Sequence, residues 1–94
     1  MSDEHELHYA FPPARAYPLN KLLYGIKSET PFRKRYLADP DTVMKELGLD
    51  AEDQAAARSG ARDVLVARGA HPYLVFMADL RLKAERGQTT YEFF

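Results

Sequence analysis

The sequence predicts an all-α domain: a compact bundle of five or six short helices with an irregular N-terminal arm and an extended aromatic C-terminal tail. Apolar residues recur three and four apart in one stretch after another. Prolines and glycines fall where such stretches begin and end. No run alternates apolar and polar residues in the manner of a half-buried strand. A chain of 94 residues makes one domain with one modest core, and no internal repeat divides it.

Residues 1–16 read as irregular, because Pro12-Pro13 and the polar start oppose a helix. A first helix runs from Pro18 to about Lys27, with Leu19, Leu22, Leu23 and Ile26 on one side and Tyr24 near its edge. Gly25 weakens it slightly. Thr30-Pro31 starts a second helix carrying Phe32, Tyr36 and Leu37, with Arg33, Lys34 and Arg35 facing out or sideways. Asp39 ends it and caps a third, Pro40 to Leu47, which sends Val43, Met44 and Leu47 inward and stops at Gly48. Asp50 caps a fourth helix, Ala51 to Arg58, with Asp53 near its positive end. Ser59-Gly60 interrupts, and a short helix over Asp63 to Arg68 carries Val64, Leu65 and Val66 up to Gly69.

The densest apolar run follows, from Pro72 to about Arg86. Tyr73, Phe76, Met77 and Leu80 recur at helical spacing, and Leu74 and Val75 widen the apolar surface almost all the way round. Such a helix is expected to be the central post of the core or the plug of an interface. Its second half, with Arg81, Lys83, Glu85 and Arg86, is expected in solvent, and Gly87 stops it. The tail Thr89 to Phe94 reads as extended. Tyr91, Phe93 and Phe94 are expected to cover something: the domain's own core, or a partner.

The chain is 46% hydrophobic and 29% charged, with a net charge of −1. That balance gives no general attraction to nucleic acid or to an anionic membrane. There is no cysteine, so disulfides, thiolate metal sites and a cysteine nucleophile are excluded. The acidic start lacks the layout of a secretory signal, and no apolar run is long enough to span a bilayer. The chain is read as cytoplasmic. His5 and His8 stand three apart beside Glu4 and Glu6, which suits either a shared metal or a solvated arm. His71 opens the last helix as a capping or packing group, or faces a substrate. No nucleophilic triad, phosphate loop or carboxylate pair emerges from the spacing. Leu47 to Glu52 has the look of a helix-turn-helix turn, but Glu52 and Asp53 would meet phosphates with the wrong charge. The cluster Arg33-Lys34-Arg35 reads as a solvated helix face.

Four stretches occur in a telling order: Tyr17-Pro18-Leu19-Asn20, Phe32-Arg33-Lys34-Arg35-Tyr36-Leu37-Ala38-Asp39-Pro40, Leu49 with its acidic helix, and Gly69-Ala70-His71-Pro72-Tyr73-Leu74. Over roughly residues 15 to 80 the chain resembles the small (alpha) subunit of class III extradiol ring-cleavage dioxygenases, of the protocatechuate 4,5-dioxygenase type. The resemblance implies a small helical domain that docks on a large catalytic chain and helps close its aromatic-substrate pocket. It implies no catalytic residue and no cofactor in this chain, with Fe(II) held by the large one. His71, Tyr73, Phe76, Tyr91 and Phe93 are the residues expected to face the pocket or the partner. In that family a longer segment follows the last helix; here Tyr91, Phe93 and Phe94 would be its remnant. The Gly-Ala-His-Pro-Tyr turn differs from the form associated with protocatechuate cleavage, so the substrate does not carry over. A stand-alone helical binding module, self-associating, is the alternative.

Overall fold

The structure is a computed structural model and describes residues 14–87. A single 3-10 turn, Ala14–Ala16, leads into six α-helices: α1 Tyr17–Ser28, α2 Thr30–Ala38, α3 Pro40–Leu47, α4 Ala51–Ser59, α5 Arg62–Ala67 and α6 Pro72–Glu85. Among the described residues there is no strand. Each break has a local cause. Asp39 accepts the Thr42 N–H at 3.3 Å and caps α3, and Asp50 accepts the Asp53 N–H at 2.7 Å and caps α4. Gly48 and Gly60 close α3 and α4 with φ of 85° and 67°, a backbone region that glycine enters without steric cost. The arm before residue 14 and the tail beyond Gly87 lie outside the described residues.

The central post is α1, not α6. Leu19, Leu22 and Ile26 are fully buried, Leu23 nearly so, and the helix packs chiefly against α6, with α2 and α3 alongside. Tyr36 from α2, Val43 and Met44 from α3, Ala56 from α4, Leu65 from α5 and Val75 and Ala78 from α6 complete the core. The expected α6 stripe is real as a spacing but faces the other way. Val75 and Ala78 are buried while Tyr73 and Phe76 stand exposed and Met77 and Leu80 are half-buried. Small side chains at Val75 and Ala78 let α6 lie close to α1; the bulkier stripe is left outside.

The basic cluster is not simply solvated. The Arg33 side chain is 11% exposed. It donates to the Ile26 carbonyl at 2.8 Å, to Thr30 Oγ1 at 3.1 Å and to Glu85 Oε2 at 2.9 Å. One guanidinium thus satisfies a carbonyl near the end of α1 and ties α2 to the end of α6. Glu85 is accordingly half-buried rather than out in solvent. Arg68, just past α5, reaches Asp53 and Glu52 at 2.7 Å each and Asp50 at 3.3 Å. The acids at the start of α4 are therefore committed to a clasp between α4 and the end of α5. Asp53 is buried at 5% exposure, and Arg68 is its counter-charge.

The hydrogen bond from Arg33, helped by the charge of Lys34, holds the Glu85 carboxyl below the ordinary glutamate value of 4.5 against partial desolvation. Hydrogen bonds from Thr42 hold Asp39 below 3.8. A carboxyl with a lowered folded-state pKa adds stability that is complete above its unfolded value and is lost as pH falls through the folded one. Tm is therefore expected to stay level from pH 7 to about 5 and to fall below about 4.5. A Glu85→Gln variant should show a shallower acid fall in circular dichroism melts, and an identical profile would remove Glu85 from the account.

Gly25 marks a close helix approach. A Cβ built there would lie 2.7 Å from Cδ2 and Cε2 of Phe32. Alanine would gain up to about 1 kcal/mol in helix propensity, but the Phe32 ring would have to leave its seat against the core. Gly25→Ala is expected to lose about 1–2 kcal/mol net in urea denaturation. A stabilised variant would mean that the ring swings aside freely.

Candidate docking face

On α1, Tyr17, Lys21 and Tyr24 sit four and three apart, on the side away from Leu22 and Ile26. Tyr17 is 63% and Tyr24 52% exposed, beside Tyr73 at 55% and Phe76 at 59% on α6. The two helices are neighbours, so their exposed rings form one strip. Lys27 joins them, its Nζ lying 5.3 Å from the Tyr24 ring centre and 5.9 Å from that of Tyr73. Lys21 stands 5.8 Å above Tyr17. These ammonium groups sit within cation–π range, and their contacts hold the rings in place without hiding them.

A groove of about 480 Å³ opens beside the strip, walled by Tyr17, Tyr24, Phe32 and Leu47 with Gly25 in its lining. Among the described residues, Lys21 and Glu29 are the only charged side chains that line it. The missing Cβ of Gly25 is what lets Phe32 form that wall.

The start of α6 is set by Asn20. Its amide donates to the Ala16 carbonyl at 3.0 Å and to the Gly69 carbonyl at 3.1 Å, and its oxygen accepts the His71 N–H at 2.8 Å. His71 then caps α6, with Nδ1 accepting the Tyr73 N–H at 3.1 Å. Of the two readings open for His71, the structure displays the capping one, at a half-buried position. Two of the motifs that carry the family resemblance, Tyr17-Pro18-Leu19-Asn20 and Gly69-Ala70-His71-Pro72-Tyr73-Leu74, are thereby brought into direct contact.

Tyr73 and Phe76 lie side by side on the strip, and His71 is at its root. Tyr91 and Phe93 lie outside the described residues, as do His5 and His8. Sequence reasoning missed Tyr17 and Tyr24, whose repeat opposite the leucine stripe is visible in hindsight. It also missed Asn20, whose role depends on residues about fifty positions away. Among the described residues, no group of three or more histidine, aspartate or glutamate side chains is arranged to hold a metal ion. No described helix is long and apolar enough to cross a membrane. The strip offers apolar area, phenol hydroxyls and two cations. That is chemistry suited to binding an apolar or aromatic surface.

Comparison of the chain with protein-family models, with curated proteins and with solved structures returns no match.

Proposed function

We propose that the chain is a non-catalytic small subunit that docks on a large Fe(II) extradiol dioxygenase chain and helps close its aromatic-substrate pocket. The observation that supports this most is the outward apolar stripe on α6, with Tyr73 and Phe76 more than half exposed. Helices of a monomer normally turn their bulkiest apolar residues inward. An exposed aromatic cluster of this kind suits an interface core. The ordered motifs that resemble the alpha-subunit family supply the kind of partner.

The division of labour follows from the side chains. Two histidines and a carboxylate on the large chain would hold the iron, and this chain would add no ligand. Its rings would shield the pocket mouth from water and orient a planar substrate, which raises selectivity without any covalent role. His71, fixed by Asn20, would be the polar group nearest that mouth.

The test is co-expression with large dioxygenase chains encoded in the same genomic neighbourhood. Co-purification, and ring cleavage that depends on this chain, are the expected results. Chains that never co-purify, with cleavage indifferent to this protein, would overturn the proposal. A concentration-dependent symmetric dimer seated on Tyr73 and Phe76 would favour the alternative, a self-associating module.

A further inference from the structure

We infer that a second groove, between α2, α3, α4 and α6, binds a small carboxylate that carries a short apolar chain. This groove, of about 270 Å³, is walled by Tyr36, Leu37, Pro40 and Leu82 and rimmed by Arg58 and Arg86. It shares no lining residue with the groove beside the docking strip. A ligand here leaves Tyr73 and Phe76 uncovered, so the inference stands apart from the proposed partner.

Two observations call for an anion. The first is the charge of the rim. Arg58 is paired with Asp41 on the surface, whereas Arg86 makes no ion pair among the described residues. Two guanidiniums against one carboxylate leave one positive charge in excess, and an exposed pair such as Arg58 with Asp41 is weak enough to be shared with a ligand. The second is Tyr36. It is only 7% exposed, yet its hydroxyl has no hydrogen-bond partner among the described residues. No enclosed side-chain polar atom among those residues lacks a partner, so the hydroxyl reaches open space. Burial raises the phenol's pKa, and Arg58 and Arg86 stand near enough to offset part of that rise. One phenol and two guanidiniums, all donors, therefore surround one opening.

The class of anion follows from charge and shape. A single excess charge matches a monoanion better than a dianionic phosphate. A planar carboxylate accepts two parallel N–H bonds from a guanidinium. The side chains of Leu37, Pro40 and Leu82 offer no polar atom, so an apolar chain can lie on them with no polar group of its own left unpaired. The space is slightly under the roughly 300 Å³ at which ordinary ligand pockets begin, which suits one short chain.

The experiment titrates the full chain with octanoate, octanol and inorganic phosphate while amide resonances are followed. Octanoate is expected to shift Leu37 and Leu82 with a Kd of roughly 1 mM, and octanol to bind at least about 10-fold more weakly. Arg86→Gln, a change at an exposed residue just past α6, should weaken octanoate by about 10-fold. Tyr36→Phe should weaken it severalfold, and Lys83→Gln, on the same helix, should leave it unchanged. Octanol that binds as tightly as octanoate would overturn the inference, as would an Arg86→Gln variant as tight as the parent. Equal weakening by Lys83→Gln would reduce the effect to general surface charge and overturn it too. Phosphate that displaces octanoate at equal concentration would make this a bare anion site, against the inference. Shifts at Tyr24 and Phe32 in place of Leu37 and Leu82 would seat the acid beside the docking strip, and no shift at all would leave the groove without this ligand; either result overturns it.

Discussion

On the proposed docking, the double variant Tyr73→Ala/Phe76→Ala is expected to keep its fold and lose binding to the large chain. Both rings are mostly in solvent, and the neighbouring core residues Val75 and Ala78 are untouched. Truncating exposed side chains of this kind usually changes stability by less than about 0.5 kcal/mol. At the centre of an interface, an aromatic anchor commonly carries about 2 kcal/mol, so affinity should fall by about 30-fold for one ring and by about 700-fold if the two add. Calorimetric titration against the large chain reads the affinity, and a thermal melt reads the fold. A variant that binds as tightly as the parent would move the interface off α6. One that melts several degrees lower would make the stripe structural. Val64 on α5, at 46% exposure, is the matched control: Val64→Ala should alter neither.

Asn20→Ala is expected to be strongly destabilising for a change at a half-buried, uncharged residue. It removes three hydrogen bonds and leaves the Gly69 carbonyl and the His71 N–H without their protein partners. Each partly buried orphan costs about 1 kcal/mol or more, and the total is expected near 2–3 kcal/mol. For a domain of this size that is a large share of the whole stability. Asn20→Asp is the informative companion. It keeps an acceptor for the His71 N–H but sets a carboxylate oxygen against the Ala16 and Gly69 carbonyl oxygens. At neutral pH it should therefore be at least as destabilised as the alanine variant, and it should recover as pH falls and the carboxyl gains a proton. Urea denaturation separates the three. Because Asn20 also fixes where α6 begins, its loss should weaken partner binding through misplacement of Tyr73, with no ring removed.

Helix ends were the most legible part of the chain. Asp39, Asp50, Gly48, Gly60 and Gly69 act through rules that span four or five residues, and those rules placed each boundary within a residue or so. The direction of α6 was not legible. Its apolar residues encircle the helix, so periodicity identifies two faces and cannot say which one meets α1. The choice was made by Val75 and Ala78, whose small size matters only once α1 is beside them. Arg33 misled for a related reason. A run of three cations suggests a wet surface, but its partners Ile26 and Glu85 come from other helices. Tyr17 and Tyr24 were hidden by the strength of the leucine stripe on the same helix. Reading the weaker repeat on its far side would have found them.

A rod greased along two sides has a cost for whatever makes it. One side is covered by the protein itself as it folds, and the other, on the proposed docking, would be covered by a second molecule. Any surplus of this chain over its mate would adhere to its own copies and drop out of solution. Output of the two would have to be matched, and purification of the lone chain should need a mild detergent or the mate itself to keep it dispersed.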